Sequence, residues 1–141
     1  NYDFGGAVDD IWQKKNGELI IVDVKATSRN NFDWSDTFEK FEYAKAYKRQ
    51  LEMYQWLFKK NGFKVAQEAY LLYFNGKKNE EFFNKQLNFD VHLIRLECSS
   101  SWVESKIIDT VNLLRSDTFP KPSLSCEYCN YLKKRWKLSI T

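Results

Sequence analysis

Asp23 and Lys25 stand two residues apart in the run Leu-Ile-Ile-Val-Asp-Val-Lys-Ala at positions 19–26. The run is rich in β-branched residues and has an ordinary strand length, so it reads as a strand. Residues two apart on a strand point to the same face. An unpaired carboxylate and ammonium on a buried strand would cost on the order of several kcal/mol. Either the strand end is at the surface and both charges are solvated, or the two belong to a site. Asp9 favours the site. Asn16-Gly17 is a strong hairpin signal because both residues tolerate positive φ, and Asp9 and Asp23 each lie seven residues from Asn16. Folded about that turn, the two carboxylates come almost opposite each other. They repel, and each shifts the other's pKa unless a cation sits between them. A hard divalent cation is the natural resolution, since Mg²⁺ takes one or two carboxylates and keeps several waters. Asp10 points to the opposite face of a regular strand and reads as a solvated charge; a bulge would let it exchange roles with Asp9.

The elements that must hold these residues follow from periodicity. Residues 4–12, entered through Gly5-Gly6, predict a first strand, and residues 19–26 the second, largely buried one. Residues 28–36 form a polar loop carrying Phe32 and Trp34. From about Thr37 to Asn61 the period lengthens: Phe38, Phe41, Ala44, Tyr47, Leu51, Tyr54 and Leu57 or Phe58 recur every three or four residues, as on an amphipathic helix closed by Asn61-Gly62. Residues 69–74 predict a third strand turning at Asn75-Gly76, and residues 89–96 a fourth. Ser99 to Ser101 can cap a helix over 102–115, and a Pro-punctuated loop, Cys126-Glu-Tyr-Cys129 and the basic stretch Lys133-Lys134-Arg135 follow. The order β-β-α-β-β-α predicts an α/β or α+β fold with a central mixed sheet flanked by helices.

Composition bounds the rest. The 141 residues suit a single domain over 1–141, and 43% apolar with 17% aromatic residues is ample material for a core. No stretch approaches the roughly 20 apolar residues of a membrane span, so a soluble protein with no membrane partner is expected. The net charge of +3 permits contact with nucleic acid without demanding it. Three Cys and no secretory segment argue for a reducing, cytoplasmic setting. The chain opens at Asn1-Tyr2-Asp3-Phe4 without Met and reads as a fragment.

Three short motifs together resemble the PD-(D/E)XK nuclease superfamily, and within it the RecB-like branch. Gly6-Ala-Val-Asp9 is similar to that branch's G-x-x-D, Asp23-Val24-Lys25 to its D-x-K fourteen residues on, and Gln50-Leu-Glu-Met-Tyr54 to its Q-x-x-x-Y. The resemblance implies a restriction-endonuclease-like core and metal-dependent, exonuclease-like hydrolysis of DNA in repair, recombination or phage and defence processing. It implies that Asp9, Asp23 and the Val24 carbonyl hold Mg²⁺ or Mn²⁺. Lys25 would orient or help deprotonate the attacking water, and Gln50 and Tyr54 would position DNA or the active-site residues. Tyr54 serves core packing equally well on sequence grounds. Members carry an acidic residue or His on a helix before the first strand motif; that helix is absent here, so either a truncated N-terminus has lost it or this chain dispenses with it. AddB-type and CRISPR-associated RecB-like relatives hold an iron–sulfur cluster with four Cys. Cys126 and Cys129 resemble two of these, so the site is an incomplete remnant in this chain. A helicase or recombination partner belongs to the same resemblance.

Weaker features read plainly. Cys98 is a small core residue and His92, the only histidine, a structural one. Lys133, Lys134, Arg135 and Lys137 form a solvated tail or touch phosphates at a groove edge. Phe32 and Trp34 either stack on unpaired bases or anchor their loop. Lys45, Lys48 and Arg49 bring positive charge beside Gln50, mixed with Glu42 and Glu52. The alternative to a nuclease is a catalytically inactive DNA-binding or scaffolding domain of the same fold.

Overall fold

The computed structural model of the chain describes residues 2–30, 33, 42–81, 85–122 and 124–138. Its first piece is set at Gly17, which adopts φ +85°, a conformation open to glycine. The Gly17 N–H donates to the Lys14 carbonyl at 2.9 Å and the Glu18 N–H to Asn16 Oδ1 at 3.1 Å. Asn16 thus contributes its side chain to the turn, and only Gly17 uses positive φ. The turn pairs β1 (Asp10–Gln13) with β2 (Leu19–Thr27) antiparallel, Asp10 opposite Val22 and Gln13 opposite Leu19.

The first strand is shorter than residues 4–12 suggested. Before Asp10 the chain leaves the sheet and packs on a helix: the Phe4 ring meets Trp56 edge-on at 6.0 Å, and Gly6 lies against Tyr54. That helix is α1 (Glu42–Lys60). It ends where Gly62, at φ +84°, donates its N–H to the Lys59 carbonyl and Phe63 donates to Phe58, with the Phe58 and Phe63 rings 5.4 Å apart. This is the paired hydrogen-bond and apolar closure of a glycine-capped helix. The expected helical residues Thr37, Phe38 and Phe41, like Phe32 and Trp34, lie outside the described residues.

Strands β3 (Glu68–Gly76) and β4 (Phe89–Glu97) complete a four-stranded sheet in the order β1-β2-β3-β4. β2 and β3 are parallel and connected through α1, whereas the outer pairs are antiparallel, so the sheet is mixed. Asn75-Gly76 is not the turn its residue types suggested; both residues continue β3. Asn75 is buried with its side-chain amide bonded to the Arg29 backbone, and Gly76 runs under the Phe89 ring.

Ile21, Ala69, Leu71, Tyr73 and Ile94 from the sheet, Leu51 from α1 and Cys98 just after β4 form the main core. Each fully buried Leu or Ile there contributes about 1.5–3 kcal/mol. Ile20, Val22 and Ala66 form a smaller cluster with Trp12, Tyr70 and Leu72. Buried Gln55 ties α1 to the approach to β3, donating to the Ala66 and Gln67 carbonyls at 3.0 and 3.1 Å.

The chain divides into two compact units, Asn1–Ser105 and Lys106–Thr141. The first holds the sheet and α1. Helix α2 (Val103–Leu114) starts at its end, and α3 (Glu127–Leu138) belongs to the second unit. The sequence pattern reads as a basic tail where α3 forms, because Lys133, Lys134 and Arg135 are all solvated and no continuous apolar stripe marks the helix. The described architecture is α+β, with a mixed four-stranded sheet and helices.

Candidate active site

Alternation along β2 sends Ile21, Asp23 and Lys25 toward α1, and Ile20, Val22 and Val24 to the opposite face. Asp23 is 2% exposed. Lys25 Nζ lies 2.5 Å from Asp23 Oδ2, donates to Gln50 Oε1 at 3.3 Å, and sits 4.7 Å over the centre of the Tyr47 ring. Gln50 Nε2 in turn donates to the Tyr54 hydroxyl at 3.1 Å. Gln50 and Tyr54 are one turn apart on α1 and share a face, and Tyr47 lies three residues before Gln50. The Tyr54 ring is seated on Gly6, where an added β-carbon would come within 2.7 Å of Cε1. A continuous line of contacts therefore runs from Gly6 through Tyr54, Gln50 and Lys25 to Asp23.

Asp9 closes the far side. It sits at the bend just before β1, so the Asp10–Val22 register places it opposite Asp23. Its Oδ2 accepts the Val24 N–H at 2.8 Å. The N–H and carbonyl of one strand residue point the same way, so the Val24 carbonyl faces this edge too. Asp10 turns away, accepting from the Ile11 N–H at 2.8 Å and from Trp12 Nε1 at 2.9 Å.

Burial pushes the Asp23 carboxyl above its ordinary pKa; the Lys25 ammonium pulls it down, and the Asp9 charge pushes it up again. The buried Oδ2 faces the Lys25 ammonium in this ion pair. A cation between Asp9 and Asp23 would relieve the repulsion between them. Two carboxylates with a backbone carbonyl suit Mg²⁺ or Mn²⁺, which fill their remaining positions with water. Among the described residues no group of three or more His, Cys, Asp or Glu side chains is assembled for a metal.

The other sequence candidates fall into place around this cluster. Lys45 and Arg49 are exposed and Lys48 is half-buried on α1. Glu52, expected to dilute that positive charge, is buried instead, accepting from the Ser99 N–H at 3.0 Å and Trp102 Nε1 at 2.7 Å. His92 is half-buried on β4, in the cross-strand row that begins at Lys25 and passes through Tyr73. Cys98 is a core residue whose thiol burial pushes up to about 12. Cys126 caps α3: its Sγ accepts the Cys129 N–H at 3.4 Å, and that bond, followed by the Cys129 side chain, draws its thiol pKa down.

Tyr47 was legible only as a core position of the helix; its spacing from Gln50 is the signal that would have placed it under the Lys25 ammonium. The seat of Tyr54 on Gly6 had no signal beyond the glycine itself.

A family model describing the PD-(D/E)XK nuclease superfamily matches residues 1–133. The chain belongs to this superfamily. Its mixed sheet and helices are the restriction-endonuclease-like arrangement expected of a PD-(D/E)XK protein. Members of this superfamily are generally nucleases that use divalent metals such as Mg²⁺, and membership supports a nuclease reading with nucleic acid as the substrate class. Comparisons with curated proteins and with solved structures return no match. No helix among the described residues of this PD-(D/E)XK chain is long and apolar enough to cross a membrane.

Proposed function

We propose that the chain is a Mg²⁺- or Mn²⁺-dependent deoxyribonuclease of the RecB-like branch, hydrolysing phosphodiester bonds in an exonuclease-like manner during DNA repair, recombination or defence. One observation carries the reading: the contact line from Gly6 through Tyr54 and Gln50 to Lys25 and Asp23, with Asp9 opposite, joins all three motifs at one point. The family match across residues 1–133 favours one nuclease domain spanning the chain.

Asp9, Asp23 and the Val24 carbonyl would hold the cation, which when bound supplies Lewis-acid activation of the scissile phosphate and of water. The remaining work falls to side chains. Lys25 stands beside the carboxylates with its ammonium directed by Gln50 and the Tyr47 ring. Those two contacts hold Lys25 where it would orient the attacking water, help deprotonate it, or counter the charge growing on the phosphate. Gln50 and Tyr54 act as positioning residues. Tyr54 bears on Gly6 and so fixes the chain segment that leads to Asp9.

Calorimetric titration of Mn²⁺ into the chain and into Asp9→Asn and Asp23→Asn tests the ligand assignment. One binding event lost in both variants is expected; undiminished binding in either variant would remove that residue from the site.

A further inference from the structure

A cleft of about 240 Å³ shares Tyr54 and Gly6 with the candidate active site; Phe4, Phe58, Asn61 and Phe63 are among its other walls. The hydroxyl of Tyr54 meets Gln50 and through it Lys25, whereas the ring edge at Cε1 lies on Gly6. One side chain therefore belongs to both places. Gly6 stands three residues before Asp9, a span of at most about 11 Å of chain. At a rise of about 3.4 Å per nucleotide, that wall lies within about three stacked nucleotides of the Asp9 carboxylate.

The aromatic walls are held in place. Gly62, at φ +84°, turns the chain out of α1, and the Phe63 N–H donates to the Phe58 carbonyl at 3.1 Å. The Phe58 and Phe63 rings then lie 5.4 Å apart, and Phe4 meets Trp56 edge-on at 6.0 Å. Even so, Phe4 and Phe63 stay 43% and 52% exposed, so each keeps ring surface open to a ligand. Gly5 and Gly6 leave another wall as bare backbone, and a β-carbon on Gly5 would meet nothing within 4 Å. Asn61 supplies a polar group. Its Nδ2 donates to the Leu57 carbonyl at 2.8 Å, and its Oδ1 takes no donor among the described residues.

Fixed aromatic surfaces beside a side-chain amide are the chemistry that takes a nucleobase, the rings stacking and the amide meeting a polar edge. The volume falls below the roughly 300–1,000 Å³ of sites for drug-sized ligands and suits one planar heterocycle. No charged residue is among the described residues that line the cleft, so it is not built for a phosphate. We infer that this cleft takes an unstacked base of the substrate strand close to the cut, against Phe4 and Phe63, with Asn61 at the base edge. The inference rests on the nuclease reading of the Asp9–Asp23–Lys25 site. It adds a preference for strands whose bases are free to leave the stack, single strands and frayed ends over intact duplex.

The test uses the full chain carrying Lys25→Ala, with Mg²⁺, so that binding is read without cutting. Anisotropy gives the affinities of a labelled single-stranded oligonucleotide and of an all-abasic strand of the same length, each against salt. Phe63→Leu keeps an apolar contact for Phe58 and removes the aromatic surface; its melting temperature checks the fold. It is expected to weaken binding of the intact strand about tenfold, with the salt slope and the abasic strand unaffected. Phe63→Trp should bind the intact strand at least as tightly as Phe63 does. Phe119→Leu, at a 95% exposed aromatic outside the cleft, should change neither strand. With Lys25 restored, Phe63→Leu should raise KM on single strands about tenfold with kcat within about twofold. Unchanged binding of the intact strand, equal weakening of both strands or a changed salt slope would overturn the inference. So would a change in sedimentation in place of binding, because a second copy would then fill the cleft. Base-dependent loss of binding in a chain that never cuts DNA would keep the cleft and remove the nuclease reading. Metal-dependent cutting without base-dependent loss would do the reverse.

Discussion

Burial raises the Asp23 pKa, and Asp9 raises it further against the pull of Lys25. The folded chain thus holds that proton more tightly than the unfolded chain, so the group favours folding below its ordinary pKa and that contribution is withdrawn as pH rises through the folded value. In the metal-free protein Asp23→Asn is expected to stabilise the fold at pH 8 by about 1 kcal/mol, with the advantage shrinking as acid protonates the wild-type side chain. Thermal melts with EDTA across pH check this, and a variant less stable than wild type at pH 8 would contradict it. Added Mn²⁺ should reverse the order by stabilising only the wild type. The seat of Tyr54 on Gly6 gives a second expectation. Gly6→Ala puts a methyl 2.7 Å from the ring, so Tyr54 must move, at a cost of about 1–3 kcal/mol, and Gln50 loses its partner. Denaturant melts and initial rates should show lost stability together with lower kcat; a variant with unchanged rates would detach Tyr54 from the site.

At the scale of elements, a turn and a helix position the site, and they were not equally legible. The Asp9–Asp23 apposition was readable because Asn16-Gly17 fixes an antiparallel register, and a register fixes every pair along it. The early end of β1 was not, since Asp9 takes the Val24 N–H with its side chain and Gly6 leaves the sheet for α1. Asn75-Gly76 misled for a similar reason: turn-type residues were used inside a strand, the Asn amide to clamp Arg29 and the Gly to admit the Phe89 ring. The line from Gln50 to Lys25 could be suspected from motif spacing, but its geometry depends on how α1 is seated. That seating rests on Gln55, whose amide nitrogen is shared by consecutive carbonyls before and at the start of β3. Gln55→Ala leaves a cavity and loses those bonds, so a loss of about 2–4 kcal/mol is expected in urea unfolding. A change below about 0.5 kcal/mol would show that the seat is held elsewhere.

For the molecule as a whole, a net charge of +3 on 141 residues gives a weak field, so affinity for DNA must come from a few placed cations. Two or three phosphate contacts predict about a tenfold loss of rate at subsaturating DNA between 50 and 200 mM salt; a rate insensitive to salt would argue against backbone contacts. Membership of the PD-(D/E)XK nuclease superfamily was legible in the sequence because its motifs are short and lie on the first hairpin and the helix after it. Helix α3 was not, since solvated positions carry no packing period. The claim on which the rest depends is that Asp9, Asp23 and Lys25 form one metal-dependent cutting site. Its most direct test is cleavage of labelled single- and double-stranded DNA by the full chain with Mn²⁺, Mg²⁺ or EDTA, beside Lys25→Ala. Cutting that needs the metal and falls at least about a hundredfold in the variant is the predicted result. Cutting that persists in EDTA, or that Lys25→Ala leaves intact, would contradict it.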